Sequence, residues 1–188
     1  MIDLKKEINL FLHKIKEDKK QFNKYLFYKL QYFYGWRSQE IATLKISDID
    51  FDKKEITFNL AKKEQETKLT LILPDDLSKE IAKQIHEKNK VNDDYLFLEK
   101  DVKIDGFLRN MRTYLERNSN KLIKELTEKD ISLNTHYFRR LRGQHPYISG
   151  NDLEIIQSLY VHQSLDQTIE YLQIKEIEVN KMLLKSLN

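Results

Sequence analysis

A chain of 188 residues and 22.7 kDa without a single cysteine is long enough for one self-sufficient domain, and it excludes a disulfide framework or a cysteine-based metal site. Its five histidines show no metal-ligand spacing, and it has neither a signal-peptide-like start nor an apolar run of membrane-spanning length, so a soluble, metal-independent cytoplasmic protein is expected. The formal net charge of +3 is unevenly placed: residues 151–188 carry six acids against three lysines, which leaves +6 for residues 1–150.

In chain order, Leu4, Ile8, Phe11, Leu12 and Ile15 fall at helical spacing and predict an amphipathic helix over about 3–17. A second helix, Gln21 to Tyr34, carries an aromatic stripe that is read as core, and Gly35 stops it. Ser38 is the expected N-cap of a short helix, Gln39 to Leu44. From Lys45 the period changes to two. Ile46, Ile49 and Phe51, then Ile56, Phe58 and Leu60, then Leu69, Leu71 and Leu73 predict three antiparallel strands, the first two joined at Asp52-Lys53-Lys54 and the last two by the polar tip Lys62-Lys63-Glu64-Gln65-Glu66. Pro74-Asp75-Asp76 opens a helix reaching about Asn89. After the apolar run Tyr95 to Leu98, a helix from Ile104 to Arg117 carries Arg109 and Arg112 at i,i+3, and Lys121 to Leu126 forms a separate short one. The fold class is α+β, mainly helical, with a small three-stranded antiparallel sheet and no internal domain boundary.

The last third concentrates the chemistry. No acid occurs between Asp130 and Asp152, yet Arg139, Arg140, Arg142, His136 and His145 all do, a local field suited to phosphate. His136 and Arg139 share one helix face and can address one cluster of oxygens. Gly150 stops that helix, Asn151 and Glu154 form a capping box for a helix from Asp152 to Tyr160, and Ser164 with Gln167 forms another, which places Tyr171 about two turns into the following helix. Singly, such a tyrosine is a packing residue and such an arginine a salt bridge. Together they suggest a phosphate-handling site with a tyrosine nucleophile.

With these residues in view the chain resembles the catalytic domain of a tyrosine recombinase of the phage integrase family. The match opens on Gly35-Trp36-Arg37-Ser38-Gln39-Glu40-Ile41 with Leu44 and Ser47-Asp48-Ile49-Asp50, resumes at His136 and Arg139, and ends on His162 and Tyr171 nine residues apart. The resemblance implies that Arg37 and Arg139 clamp the non-bridging oxygens of a scissile phosphate, with His136 and His162 adding hydrogen bonds and proton transfer. Tyr171 then attacks in line to leave a 3′-phosphotyrosyl link and a 5′-hydroxyl. A hairpin lysine, Lys62 or Lys63, protonates the leaving oxygen; strand alternation favours Lys62 and leaves Lys63 to DNA binding with Arg109, Arg112, Arg140 and Arg142. No metal and no cofactor are implied, since the covalent bond conserves the energy. The implied partner is a double-stranded DNA recombination site, bound by a homo-tetramer that is monomeric without DNA, with no membrane involved and the use of accessory DNA-bending proteins left open. Such an enzyme would work in the cytoplasm, associated with the nucleoid when on DNA.

Two residues depart from the family pattern: Val161 replaces the glycine usual before the second histidine, and Arg140 stands where a histidine commonly follows the second arginine. The resemblance covers the catalytic domain, 1–175, and not the family's N-terminal helical clamp domain. The chain is thus expected to be either a part separated from that domain or a single-domain member similar to the small inversion recombinases. Residues 176–188 form an expected helical tail exchanged between protomers through the apolar stripe Ile174, Ile177, Met182, Leu183 and Leu184. Two other classes stay open: a recombinase-like DNA-binding module that does not cut, and a monomeric type IB-like topoisomerase.

Overall fold

A computed structural model describes residues 4–61, 66–160, 162, 164–175 and 177–179. Helix α1 (Lys5–Glu17) buries Ile8, Phe11, Leu12 and Ile15, the apolar stripe its sequence predicts. After a 3-10 turn at Lys19–Gln21 comes α2 (Phe22–Tyr34), the central helix, which packs against α1 and three later helices and buries residues on most of its circumference. Its aromatics are core. Phe27 meets Tyr28, Phe97 and Phe107 edge-on at 5.3–5.7 Å, the geometry their ring quadrupoles prefer.

Gly35 ends α2 in the left-handed region at φ 70°, and α3 (Ser38–Ala42) follows. Its N-cap is Arg37, not Ser38: the Glu40 carboxylate, three residues on, accepts the Arg37 backbone N–H at 2.7 Å and so caps the helix from within. The sheet runs β1 (Ile49–Asp50), β2 (Glu55–Ala61), β3 (Glu66–Ile72), antiparallel in that order, with Ile49 opposite Ile56 and Phe58 opposite Leu69. The first strand is shorter than its alternation suggests, because Ile46–Asp48 closes a 3-10 turn in which the Asp48 side chain accepts the Lys45 N–H. Ile56 and Phe58 face the core and Leu69 and Leu71 pack beside them, so the period-two pattern sets the face.

Helix α4 (Asp75–Glu87) starts after Pro74 at the N-cap and ends two residues before the expected Asn89, which is itself left-handed at φ 49°. The two helices expected over 104–126 are one, α5 (Ile104–Thr127). Asn118-Ser119-Asn120 does not break it, because Asn118 bonds back to the Tyr114 carbonyl and the buried Ser119 hydroxyl accepts the Leu133 N–H. Then come α6 (Thr135–Ile148), α7 (Leu153–Tyr160) and α8 (Leu165–Leu172). Gly150 at φ 92° turns the chain between α6 and α7, as expected, and α7 begins at Leu153.

Two apolar clusters result. The larger joins α1 to α6 and the sheet, while the smaller holds Ile156, Tyr160, Leu172, Ile174 and Ile177. Ile174 and Ile177 thus pack against their own chain; Met182, Leu183 and Leu184 lie outside the described residues. Among the described residues, no helix is long and apolar enough to cross a membrane.

Candidate active site

Four parts of the chain come together where α6 packs against α2: the corner after α2, α6 itself, the turn after α7, and α8. The first is the corner after α2. Trp36 is buried flat against Phe58 of β2, ring centroids 5.0 Å apart at 12°, and the buried Gln31 amide donates to Ser38 Oγ at 2.8 Å. This fixed corner presents Arg37, whose guanidinium donates to Glu40 at 3.0 Å while its side chain stays 59% exposed. One arm of the fork is braced; the side chain faces outward.

The second segment is α6. Asn134 caps it by accepting the Tyr137 N–H, which puts His136, exposed, in the first turn and Arg139 one turn later. Arg139 is only 5% exposed. Its guanidinium donates to the Gly35 carbonyl at 2.7 Å and to the Tyr160 carbonyl at 3.4 Å, and its central carbon sits 4.2 Å over the Tyr160 ring. Burial and the neighbouring Arg37 lower its pKa, yet a guanidinium does not deprotonate in a protein, so a fixed positive charge is held beneath the surface.

The third and fourth are the turn after α7 and α8 itself. The His162 N–H and carbonyl are both held by Gln157, and its ring Nδ1 lies 3.0 Å from the buried Thr168 hydroxyl. Burial, then Arg139 and Arg37, push the His162 pKa down to about 4, so the imidazole is neutral at physiological pH. Ser164 caps α8 as expected, accepting the Gln167 N–H. Tyr171, on the last turn, packs edge-on to His162 at 5.7 Å and to Tyr160 at 6.3 Å, with Arg139 5.7 Å from its ring. Its hydroxyl is buried. Burial raises its pKa; Arg139, Arg140 and Arg37 pull the other way.

Two further bonds from α6 fix the exit of α8. Gln144 donates to the Leu172 carbonyl at 2.7 Å, and Arg140 donates to Gln173, which is left-handed at φ 56°. Arg37, Arg139, His162 and Tyr171 are therefore gathered into one charged neighbourhood, with His136 on the same helix as Arg139. Arg140 and Arg142 are partly buried, the latter 5.4 Å from the Phe33 ring, whereas Arg109 and Arg112 are exposed on α5. Lys62 and Lys63 lie outside the described residues. Glu40, read with Arg37 in the Gly35–Ile41 stretch, belongs to the same neighbourhood, as do Thr168 and Tyr160, which escape a sequence reading. Glu40 has a visible signal in its i+3 spacing from Arg37; Tyr160 has none, since an aromatic ending an apolar helix reads as packing.

Residues 4–177 match the model of the Phage integrase family. The chain belongs to this family. The tyrosine recombinase XerA of Pyrococcus furiosus (strain ATCC 43587 / DSM 3638 / JCM 8422 / Vc1) is 30% identical over 146 residues, covering 77% of this chain and 48% of its own. The crystal structure of XerA recombinase superposes with a TM-score of 0.69 at 20% identity, over 96% of this chain and 61% of that one. XerH, in a post-cleavage complex with a palindromic difH substrate, gives 0.69 at 19% identity, over 95% and 51%. The tyrosine recombinase catalytic-domain fold is thus established, and the chain spans about half the length of the curated relatives it matches.

Proposed function

We propose that this domain cleaves and rejoins DNA strands as a site-specific recombinase or integrase. The observation that carries the reading is the partly buried Tyr171, its hydroxyl enclosed, set beside the buried Arg139 guanidinium, with Arg37 and neutral His162 adjoining. A phosphodiester transition state gathers negative charge on its non-bridging oxygens, and fixed donors that need no reorganisation stabilise it most. Arg139 is such a donor, because two backbone carbonyls and a ring hold it before any substrate arrives. Arg37 supplies a second fork from the outer side.

Tyr171 Oη attacks phosphorus, the P–O5′ bond breaks, and the phosphate passes to tyrosine as a 3′-phosphotyrosyl ester. The phenol proton leaves through His162, which adjoins Tyr171, with His136 adding a hydrogen bond to the phosphate, and the 5′-oxygen takes a proton from Lys62 or Lys63. The freed 5′-hydroxyl of a partner strand reverses the step. The working assembly is a tetramer on a double-stranded site, located where the DNA is, with accessory DNA-bending proteins left open and the chain's segment beyond Val179 passing between protomers.

A nicked DNA substrate that loses its short 5′-hydroxyl strand on cleavage traps the covalent product. Tyr171→Phe should bind this DNA as the parent does and yield no adduct, since only the nucleophilic oxygen is lost. Adduct from that variant would place the nucleophile elsewhere.

A further inference from the structure

Tyr160 lies at the centre of the charged neighbourhood without being one of its reacting groups. It is 1% exposed, and its hydroxyl donates to the Arg139 carbonyl, its own carbonyl accepts from the Arg139 guanidinium, and its ring lies under that guanidinium. The same ring contacts His162 at 5.5 Å and Tyr171 at 6.3 Å. Two glycines make room for it. A Cβ on Gly35 would fall 2.9 Å from the Tyr160 ring and one on Gly143 2.7 Å from it, closer than packed atoms tolerate.

As a phenol Tyr160 is unavailable for attack, because its proton is committed to a backbone carbonyl and burial holds its pKa far above the ordinary value. Its ring face is instead a negative surface against which a buried cation gains most. A guanidinium with two carbonyls at its edge and a ring on one face has few alternative orientations, which leaves its remaining edge for substrate.

Resting on the recombinase reading above, we propose that Tyr160 is the positioning residue that aims the Arg139 guanidinium at the scissile phosphate, and that it does so chiefly through its ring. The trapped-cleavage assay at saturating DNA tests this with three replacements. Tyr160→Phe keeps the ring and should cleave within about threefold of the parent, whereas Tyr160→Leu should be slower by about thirtyfold, the factor that corresponds to a desolvated cation–ring contact. Pentafluorophenylalanine at 160 keeps the shape of phenylalanine and reverses the ring's charge distribution, so it should cleave about tenfold slower than the phenylalanine form even if the leucine form fails to fold.

A methylphosphonate at the scissile position removes the charge that Arg139 serves. On it the deficits of the leucine and pentafluorophenylalanine forms should shrink; a fold that is merely loosened would be equally slow on both DNAs. Equal rates for the phenylalanine and pentafluorophenylalanine forms, or deficits unchanged on the neutral linkage, would overturn the positioning role. Absence of adduct from the parent chain would instead overturn the recombinase reading, so the two failures are distinguishable.

Discussion

At the scale of single residues, the site separates a charge that never moves from one that is kept off. Arg139 is positive and buried, and beside it His162 has its pKa pushed down to about 4 from the ordinary 6.5. Between those two values the unfolded chain binds the proton that the folded chain refuses, so folding stability rises with pH there. The contribution of neutral His162 is whole above the ordinary histidine value and is lost as pH falls toward about 4. His162→Asn removes the titration while keeping a polar group near Thr168. The melting temperature of the parent should therefore fall more steeply than that of the variant between roughly pH 7 and pH 4.5. Parallel curves would show that the imidazole is not held neutral.

At the scale of elements, close approach between helices is what places Tyr171, and Gly143 of α6 stands at one such approach. A Cβ there would stand 2.6 Å from Leu172 Cδ2 and 2.7 Å from Tyr160 Cε2. Alanine in a helix interior gains up to about 1 kcal/mol over glycine, but overpacking a tight core costs about 1–3 kcal/mol, so the clash wins. Gly143→Ala should lower the denaturation free energy by up to about 2 kcal/mol, the overpacking cost less the helix gain. Gly106→Ala on α5, where a Cβ would meet nothing within 4 Å, should raise it by up to about 1 kcal/mol. Denaturant midpoints decide both signs.

These elements also show what a sequence can carry. Local pattern located α1, α2, the β2–β3 pairing and the Ser164 cap of α8, because each depends on neighbours a few positions apart. The unbroken α5 was illegible: Ser119 is tolerated mid-helix because it serves a backbone group fourteen residues away. Tyr160 was illegible for the same reason, its role lying in contacts with Gly35, Arg139 and Gly143 that only the fold brings together. Arg37, Arg139, His162 and Tyr171 were legible because the resemblance to a family fixed their order, not because their spacing alone required a site.

At the scale of the whole molecule, α6 is the shared wall of the two apolar clusters. Phe138 and Leu141 face the larger, whereas Gly143 and Gln144 face the smaller, which includes Tyr160, Leu172, Ile174 and Ile177. The chain beyond Tyr171 therefore has two parts with different expected duties. Through Val179 it belongs to its own domain: Ile174 and Ile177 are 5% and 4% exposed, and Tyr147 donates to Glu178 at 2.9 Å. Ending the chain before Ile174 uncovers Leu172 and removes two buried isoleucines, each worth about 1.5–3 kcal/mol of burial. Cleavage and melting temperature should both fall, because the floor beneath Tyr171 loosens. Removing only 180–188 should leave trapped cleavage by single protomers at the parent rate and abolish assembly on paired recombination sites, measured by sedimentation with site DNA, since that segment is proposed to dock on a neighbour. Normal assembly by the shorter deletion would show that no exchange through 180–188 is needed, and slow cleavage by it would show that these residues serve the site of their own chain.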